Sequence, residues 1–118
     1  MWRTRRANKY GNKSIVYNGI QYASKIEAGY AAELDLRKKA GDIKGWDRQV
    51  KVSLDVNGFH IANYYCDFVV YHNDETKEYV EIKSNFTYNM DVWRLKRKLM
   101  EATFLHDNKE IKYTVVIM

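Results

Sequence analysis

Two Asn-Gly pairs, Asn18-Gly19 and Asn57-Gly58, stand between runs of β-favouring residues and constrain the fold more than any other feature of the chain. A type I′ turn needs positive φ at both central positions, which Asn-Gly supplies at little cost, so each pair predicts an antiparallel hairpin. The first joins Ile15-Val16-Tyr17 to Ile20-Gln21-Tyr22. The second joins a run in which Val50, Val52, Leu54 and Val56 alternate with polar residues to a long strand reaching about Tyr71. Between them Ser24 opens a helix to about Ala40, with Glu27 at capping-box spacing and Gly41 as the left-handed stop. A turn over 72–77 leads to a strand over 78–84. A helix over 88–105 follows, with Val92, Leu95, Leu99 and Ala102 expected on its buried stripe. Ile111, Tyr113, Val115 and Ile117 alternate in a last strand. The order is hairpin, α, β, β, β, α, β, within one domain spanning 1–118.

Charge and cysteine content narrow the chemistry. The 118 residues carry a net charge of +5. Arg3, Arg5, Arg6, Lys9 and Lys13 lie in a segment without acids, so a basic arm over 1–12 is expected. Arg94, Lys96, Arg97 and Lys98 form a second cluster. Such patches attract phosphate backbones, although a solubilising tail and a solvated helix face have the same composition. The single cysteine, Cys66, rules out an intramolecular disulfide framework and a Cys-rich zinc site, and a reducing cytoplasm is the expected setting. No apolar run reaches membrane-span length and no signal-peptide pattern is present, so no membrane partner is expected.

The acids give the chain its candidate site. In a strand, side chains alternate faces, so Glu81 and Lys83 share one face and Val80 and Ile82 the other. If Cys66, Phe68 and Val70 pack with Val80 and Ile82, Asp67 joins Glu81 and Lys83 opposite them. A surface ion-pair ladder is the structural alternative. Against it, Asp67 lies in an apolar run, where an unpaired carboxylate is costly. With Glu27, three acids face one lysine, and a like-charge pair at ~4 Å costs on the order of 4 kcal/mol at an effective dielectric near ~20. A divalent cation removes that repulsion, and oxygen donors point to Mg²⁺ or Mn²⁺. Glu27 shares its helical stripe with Ala23, Tyr30, Ala31 and Leu34, which directs it toward the sheet; a capping role through Ser24 is the alternative.

The stretches Ser24-Lys25-Ile26-Glu27-Ala28, Tyr65-Cys66-Asp67-Phe68 and Val80-Glu81-Ile82-Lys83, set in the order α-β-β-β-α-β, resemble the PD-(D/E)XK nuclease superfamily. The chain is similar in particular to its small phage members, including junction-resolving endonucleases. Tyr65-Cys66 stands where relatives carry a proline-containing lead-in, and Ser84 where many carry glycine. The resemblance implies an α/β fold of the α+β type: a restriction-endonuclease-like core with a mixed sheet, here preceded by an N-terminal β-hairpin. It implies that Asp67 and Glu81 ligate the metal with the Ile82 backbone carbonyl, and that Glu27 completes the site directly or through water. Lys83 would orient the attacking water or stabilise charge on the phosphate. Gln49 is a candidate to line the site, as a glutamine does in some relatives, and Lys96 a candidate to contact the neighbouring phosphate.

The resulting expectation is a Mg²⁺-dependent (or Mn²⁺-dependent) endonuclease acting on DNA, of phage type and selective for structures such as four-way junctions. It would work as a homodimer in the cytoplasm, that of the host if phage-encoded. Arg3, Arg5, Arg6, Lys9, Arg94, Arg97 and Lys98 are the expected nucleic-acid contacts, with Trp2, Tyr10 and Tyr88 as stacking candidates. The exposed hairpin residues Ile15, Tyr17, Ile20 and Tyr22 are the expected dimer surface. A catalytically silent DNA-binding module and a general nuclease are the competing readings.

Overall fold

The computed structural model describes residues 14–84 and 90–117. The basic arm, with Arg3, Arg5, Arg6 and Lys9, and the aromatics Trp2, Tyr10 and Tyr88 lie outside these residues. In chain order the elements are β1 (Ile15–Tyr17), β2 (Ile20–Tyr22), α1 (Lys25–Lys39), β3 (Ile43–Val56), β4 (Phe59–His72), β5 (Lys77–Lys83), α2 (Asp91–Ala102), α3 (Phe104–Asp107) and β6 (Lys112–Ile117). β1 and β2 form a two-stranded hairpin; the main sheet has the order β3-β4-β5-β6. Its first three strands run antiparallel and β6 runs parallel to β5, so the fold is α+β with a mixed sheet.

Local chemistry accounts for the boundaries. Asn18 and Gly19 adopt φ of 51° and 79°, Asn57 and Gly58 φ of 53° and 81°, the left-handed values that I′ turns require. Ser24 Oγ accepts the Glu27 N–H at 3.2 Å, capping α1. At the other end Gly41 N–H donates to Lys38 O and Asp42 N–H to Arg37 O, a Schellman closure that the positive φ of Gly41 permits.

The sheet is covered on both faces, giving three layers. On one side Ala28, Ala31 and Leu34 of α1 pack with Tyr22, Ile43, Phe68, Val70, Val80 and Ile82. Phe68 is the centre of this core, with the rings of Tyr22, Tyr30 and Trp46 at 6.4, 5.2 and 5.7 Å between centroids. On the other side Met100 of α2 packs with Val52, Leu54, Tyr64, Cys66, Val69 and Tyr79, joined by Leu99, Phe104 and Tyr113.

Three expectations are corrected here. The first hairpin is not a free surface: Tyr22 is buried in the α1-side core, and Tyr17 packs against it. Tyr17 Oη also donates to Asp35 Oδ2 at 2.6 Å, while Trp46 Nε1 donates to Asp35 Oδ1 at 2.9 Å. Only Ile15, Val16 and Ile20 stay exposed among the large apolar residues of the hairpin. The second helix begins at Asp91 and turns a different stripe inward: Trp93 and Met100 are buried, while Val92 and Leu95 are 67% and 61% exposed. Trp93 carries the larger apolar area and seven-residue spacing to Met100, so it sets the rotation. That helix also stops at Ala102; Thr103 leaves helical geometry, with its Oγ1 donating to Leu99 O at 2.6 Å, and α3 follows as a separate turn.

The third correction concerns β4. Phe68 and Val70 join the α1-side core, as the alternation requires, but Cys66 and Tyr64 join Val69 and Tyr71 on the α2 side. Side-chain parity therefore changes at Asp67. By register Gln49 lies opposite Asp67, between the pairs Arg48↔Phe68 and Val50↔Cys66, and Gln49 has a left-handed φ of 51°. A non-glycine residue held there turns β3, and β4 turns with it because paired residues keep a common face. Trp46 accordingly packs on the α1 side and Val50, Val52 and Leu54 on the α2 side.

Candidate active site

Strands β4 and β5 part at the same place. Their backbone pairing runs from Tyr71↔Lys77 to Phe68↔Val80 and stops there. Beyond it two carboxylates replace the ladder. Asp67 N–H donates to Glu81 Oε2 at 3.1 Å, and Ile82 N–H donates to Asp67 Oδ2 at 2.9 Å. This reciprocal clasp satisfies two backbone donors that the splayed strands would otherwise leave unpaired. It also fixes both acids at the mouth of a fork. Gln49 Nε2 donates to Asp67 Oδ1 at 3.4 Å from the third strand.

Burial sets the electrostatics. Glu81 is the one fully buried charged side chain among the described residues. Desolvation, then the charge of Asp67, pushes its carboxyl up to about 7, against the opposing charge of Lys83. Its Oε1 lies 3.4 Å from Lys83 Nζ, an ion pair in which that oxygen accepts no hydrogen bond. Asp67 is raised by desolvation, with its bond from Ile82 N–H, Lys83, Gln49 and Arg48 pulling the other way. Glu27, half-buried on the first turn of α1, is raised to about 7 by burial and by Asp67, opposed by Lys83 and Arg48. Ser24 caps the helix through its own hydroxyl, and no hydrogen bond from the Glu27 carboxylate completes the box, while the charge of Asp67 is felt at that carboxylate. Lys83 is seated between Glu81 and the ring of Trp93, 5.5 Å from its centroid.

The described residues thus bring Asp67, Glu81, Lys83 and Gln49 into one fork, where Asp67 Oδ2 accepts the Ile82 N–H, and the charge of Asp67 is felt at Glu27 on α1. Arg94 and Lys98 are exposed on α2. Arg97 is turned inward, 5.7 Å from the Trp93 ring and 3.8 Å from Glu101, so it is less available to a ligand than the sequence pattern implied. Lys96 is half-buried, and no hydrogen bond or ion pair among the described residues ties it to the acids.

Two features escaped the sequence reading. Arg48 reaches the fork from β3 and adds a second cation, which changes the local tally to three acids against two bases. Its signal was present: Arg48 occupies an inward position in the alternation Trp46, Arg48, Val50, where a hydrophobe is expected. Behind Glu81 lies a phenol pair, Tyr64 and Tyr113, with Oη atoms 2.6 Å apart. Burial pushes both phenols up, and Glu81 adds to this. Burial likewise pushes the neighbouring Cys66 thiol up, so it is an inert packing group.

Among the described residues no three histidine, cysteine or carboxylate groups stand together at metal-holding spacing. The donor chemistry nevertheless fits a hard divalent cation: oxygen ligands alone, a buried Glu81 oxygen without a hydrogen bond, and acids raised by burial and then by the charge of Asp67. Also among these residues, no helix is long and apolar enough to cross a membrane.

The chain belongs to the family described as "Protein of unknown function (DUF1064)", whose model matches residues 7–117. No curated protein and no solved structure matches the chain.

Proposed function

We propose that this DUF1064 chain is a metal-dependent endonuclease that hydrolyses DNA phosphodiester bonds. The observation that carries the reading is the fork itself. Asp67 of β4 and Glu81 of β5 are clasped beside Lys83 at the point where two strands part, and Glu27 of α1 feels the charge of Asp67. Asp67 and Glu81 would hold Mg²⁺ or Mn²⁺, with Glu27 completing the set. The bound ion would lower the pKa of water and neutralise charge on the reacting phosphate. Because Glu27 and Glu81 are raised to about 7, cation uptake near neutral pH releases protons, and affinity rises with pH. Lys83, fixed by Glu81 and Trp93, presents a positioned positive charge to the phosphate as negative charge develops. Gln49 holds Asp67 in place.

Branched DNA is the proposed substrate and a homodimer the proposed form, since paired incision of a four-way junction calls for two sites related by a twofold axis. A reducing cytoplasm suits the buried free thiol of Cys66.

The second reading, a catalytically silent DNA-binding module, is favoured by one observation: both Asp67 oxygens are already engaged, by Ile82 and Gln49. One experiment separates the readings. Purified protein with Mg²⁺ is given matched linear, nicked, flapped and four-way DNA, alongside Asp67→Ala, Glu81→Ala and Lys83→Ala. The nuclease reading expects rapid junction cutting that each substitution abolishes with binding largely kept. Near-wild-type cutting by Glu81→Ala sinks the site assignment. Equal cutting of linear and branched DNA by a strict monomer leaves a general nuclease.

A further inference from the structure

Arg48 is placed unlike a structural arginine. It sits on β3 opposite Phe68, half-buried, with its guanidinium carbon 4.8 Å from the centroid of the Tyr22 ring. Its Nε is buried without a hydrogen-bond partner. Among the described residues it forms no hydrogen bond and no ion pair, although its charge is felt at both Glu27 and Asp67. A guanidinium that served only to neutralise these acids would be expected to fork onto one of them, the strongest pairing open to it. Instead the group lies over the Tyr22 face with its donors uncommitted. The next residue, Gln49, bears the left-handed φ at which β3 turns, so the strain at this point places Arg48 on the α1 side of the fork. Lys83 flanks the acids from the α2 side, beside Trp93.

We propose that Arg48 is a phosphate-binding residue, taking a DNA phosphate on the α1 side of the fork while Lys83 serves the α2 side. This rests on the reading of the chain as a DNA-binding nuclease. Planar and unpaired, Arg48 suits the two-point grip that phosphate oxygens offer.

The test is equilibrium binding of a fluorescent duplex across a salt series in Ca²⁺, for wild type, Arg48→Ala, Arg48→Lys and Arg48→Gln, with melting curves of each protein alone. Arg48→Ala is expected to weaken binding about tenfold and to reduce the salt slope by about 0.9, the signature of one duplex phosphate that the protein no longer neutralises. Arg48→Lys should keep the slope and recover only part of the affinity, because it keeps the charge and loses the fork. An unchanged slope in Arg48→Ala, or no measurable binding by wild type, overturns the proposal. If Arg48→Ala does not fold, Arg48→Gln is read in its place; failure of both to fold also overturns it, by making the residue structural. Cleavage by wild type is scored separately. Cutting with an unchanged Arg48→Ala slope removes Arg48 and keeps the nuclease; no cutting with a reduced slope removes the nuclease and keeps Arg48 as a phosphate ligand in a silent module.

Discussion

Replacing Glu81 by Gln should stabilise the metal-free protein, and only above the acid range. The folded protein holds the Glu81 carboxyl at about 7, against 4.5 for the free side chain. Between these values the native state binds a proton that the unfolded chain has lost. Stability therefore falls as pH rises through this window and stays lower above it. At about 1.4 kcal/mol per pH unit, the gap corresponds to roughly 3 kcal/mol. The neutral Gln amide removes both the cost of burying the charge and its repulsion with Asp67, so a gain of up to roughly 3 kcal/mol at about pH 8 is expected, with little change near pH 5. Gln retains an oxygen to accept the Asp67 N–H, so the clasp survives. The assay is urea unfolding with a chelator present, at several pH values between these limits, comparing midpoints at constant slope. A wild-type stability that is flat or rising across the window, or a Glu81→Gln protein less stable at the alkaline end, would refute the claim that burial rather than ion pairing governs this carboxylate.

Other outcomes follow from the same geometry. Mg²⁺ or Mn²⁺ should raise the melting temperature of wild type without DNA, by roughly 2.7 kcal/mol of stability at about 100 times the dissociation constant, and should do so far less in Asp67→Asn; curves indifferent to divalent cations in both would favour the silent module. Gln49→Gly should relieve the left-handed φ of 51° and stabilise the fold by about 1 kcal/mol while loosening Asp67, which unfolding and cleavage assays would show as opposite changes. Phe68→Ala, which empties the centre of the ring cluster, should cost about 3–5 kcal/mol in chemical denaturation. Removing the residues before Gly11 should flatten the salt dependence of DNA binding by about 0.9 for each phosphate that the arm neutralises, with melting unchanged; an unaltered slope would make the arm a solubilising tail.

The parts of this fold that were legible in the sequence are those set by local chemistry. Asn18-Gly19 and Asn57-Gly58 declare their turns because few residues tolerate such backbone angles, and Glu81 and Lys83 share a face because β5 is regular. The side taken by Cys66 was not legible, because the residue that reverses parity is Gln49, whose side chain carries no preference for left-handed φ; tertiary packing imposes it. The rotation of α2 was misjudged for a related reason. Val92 and Leu95 fit an amphipathic stripe as well as Trp93 and Met100 do, and only the shape of the sheet face decides between them. Tyr22 read as surface because the strand period alone does not reveal that a short hairpin folds back under α1. The acids of the site were found by type and spacing, whereas Arg48 shows in the sequence only as a charge interrupting the alternation of Trp46 and Val50, a pattern that does not say which acids it approaches from β3.

The clasp between β4 and β5 makes the site self-reporting. The amide protons of Asp67 and Ile82 are donated to the carboxylates of Glu81 and Asp67, not to carbonyls of the ladder. Their NMR chemical shifts should therefore follow the ionisation of each acid in turn, and any cation drawn onto those oxygens should move the same two resonances. Two signals in a nitrogen–proton correlation spectrum, requiring neither substrate nor turnover, would then read out the charge state of the fork and the arrival of a metal on it.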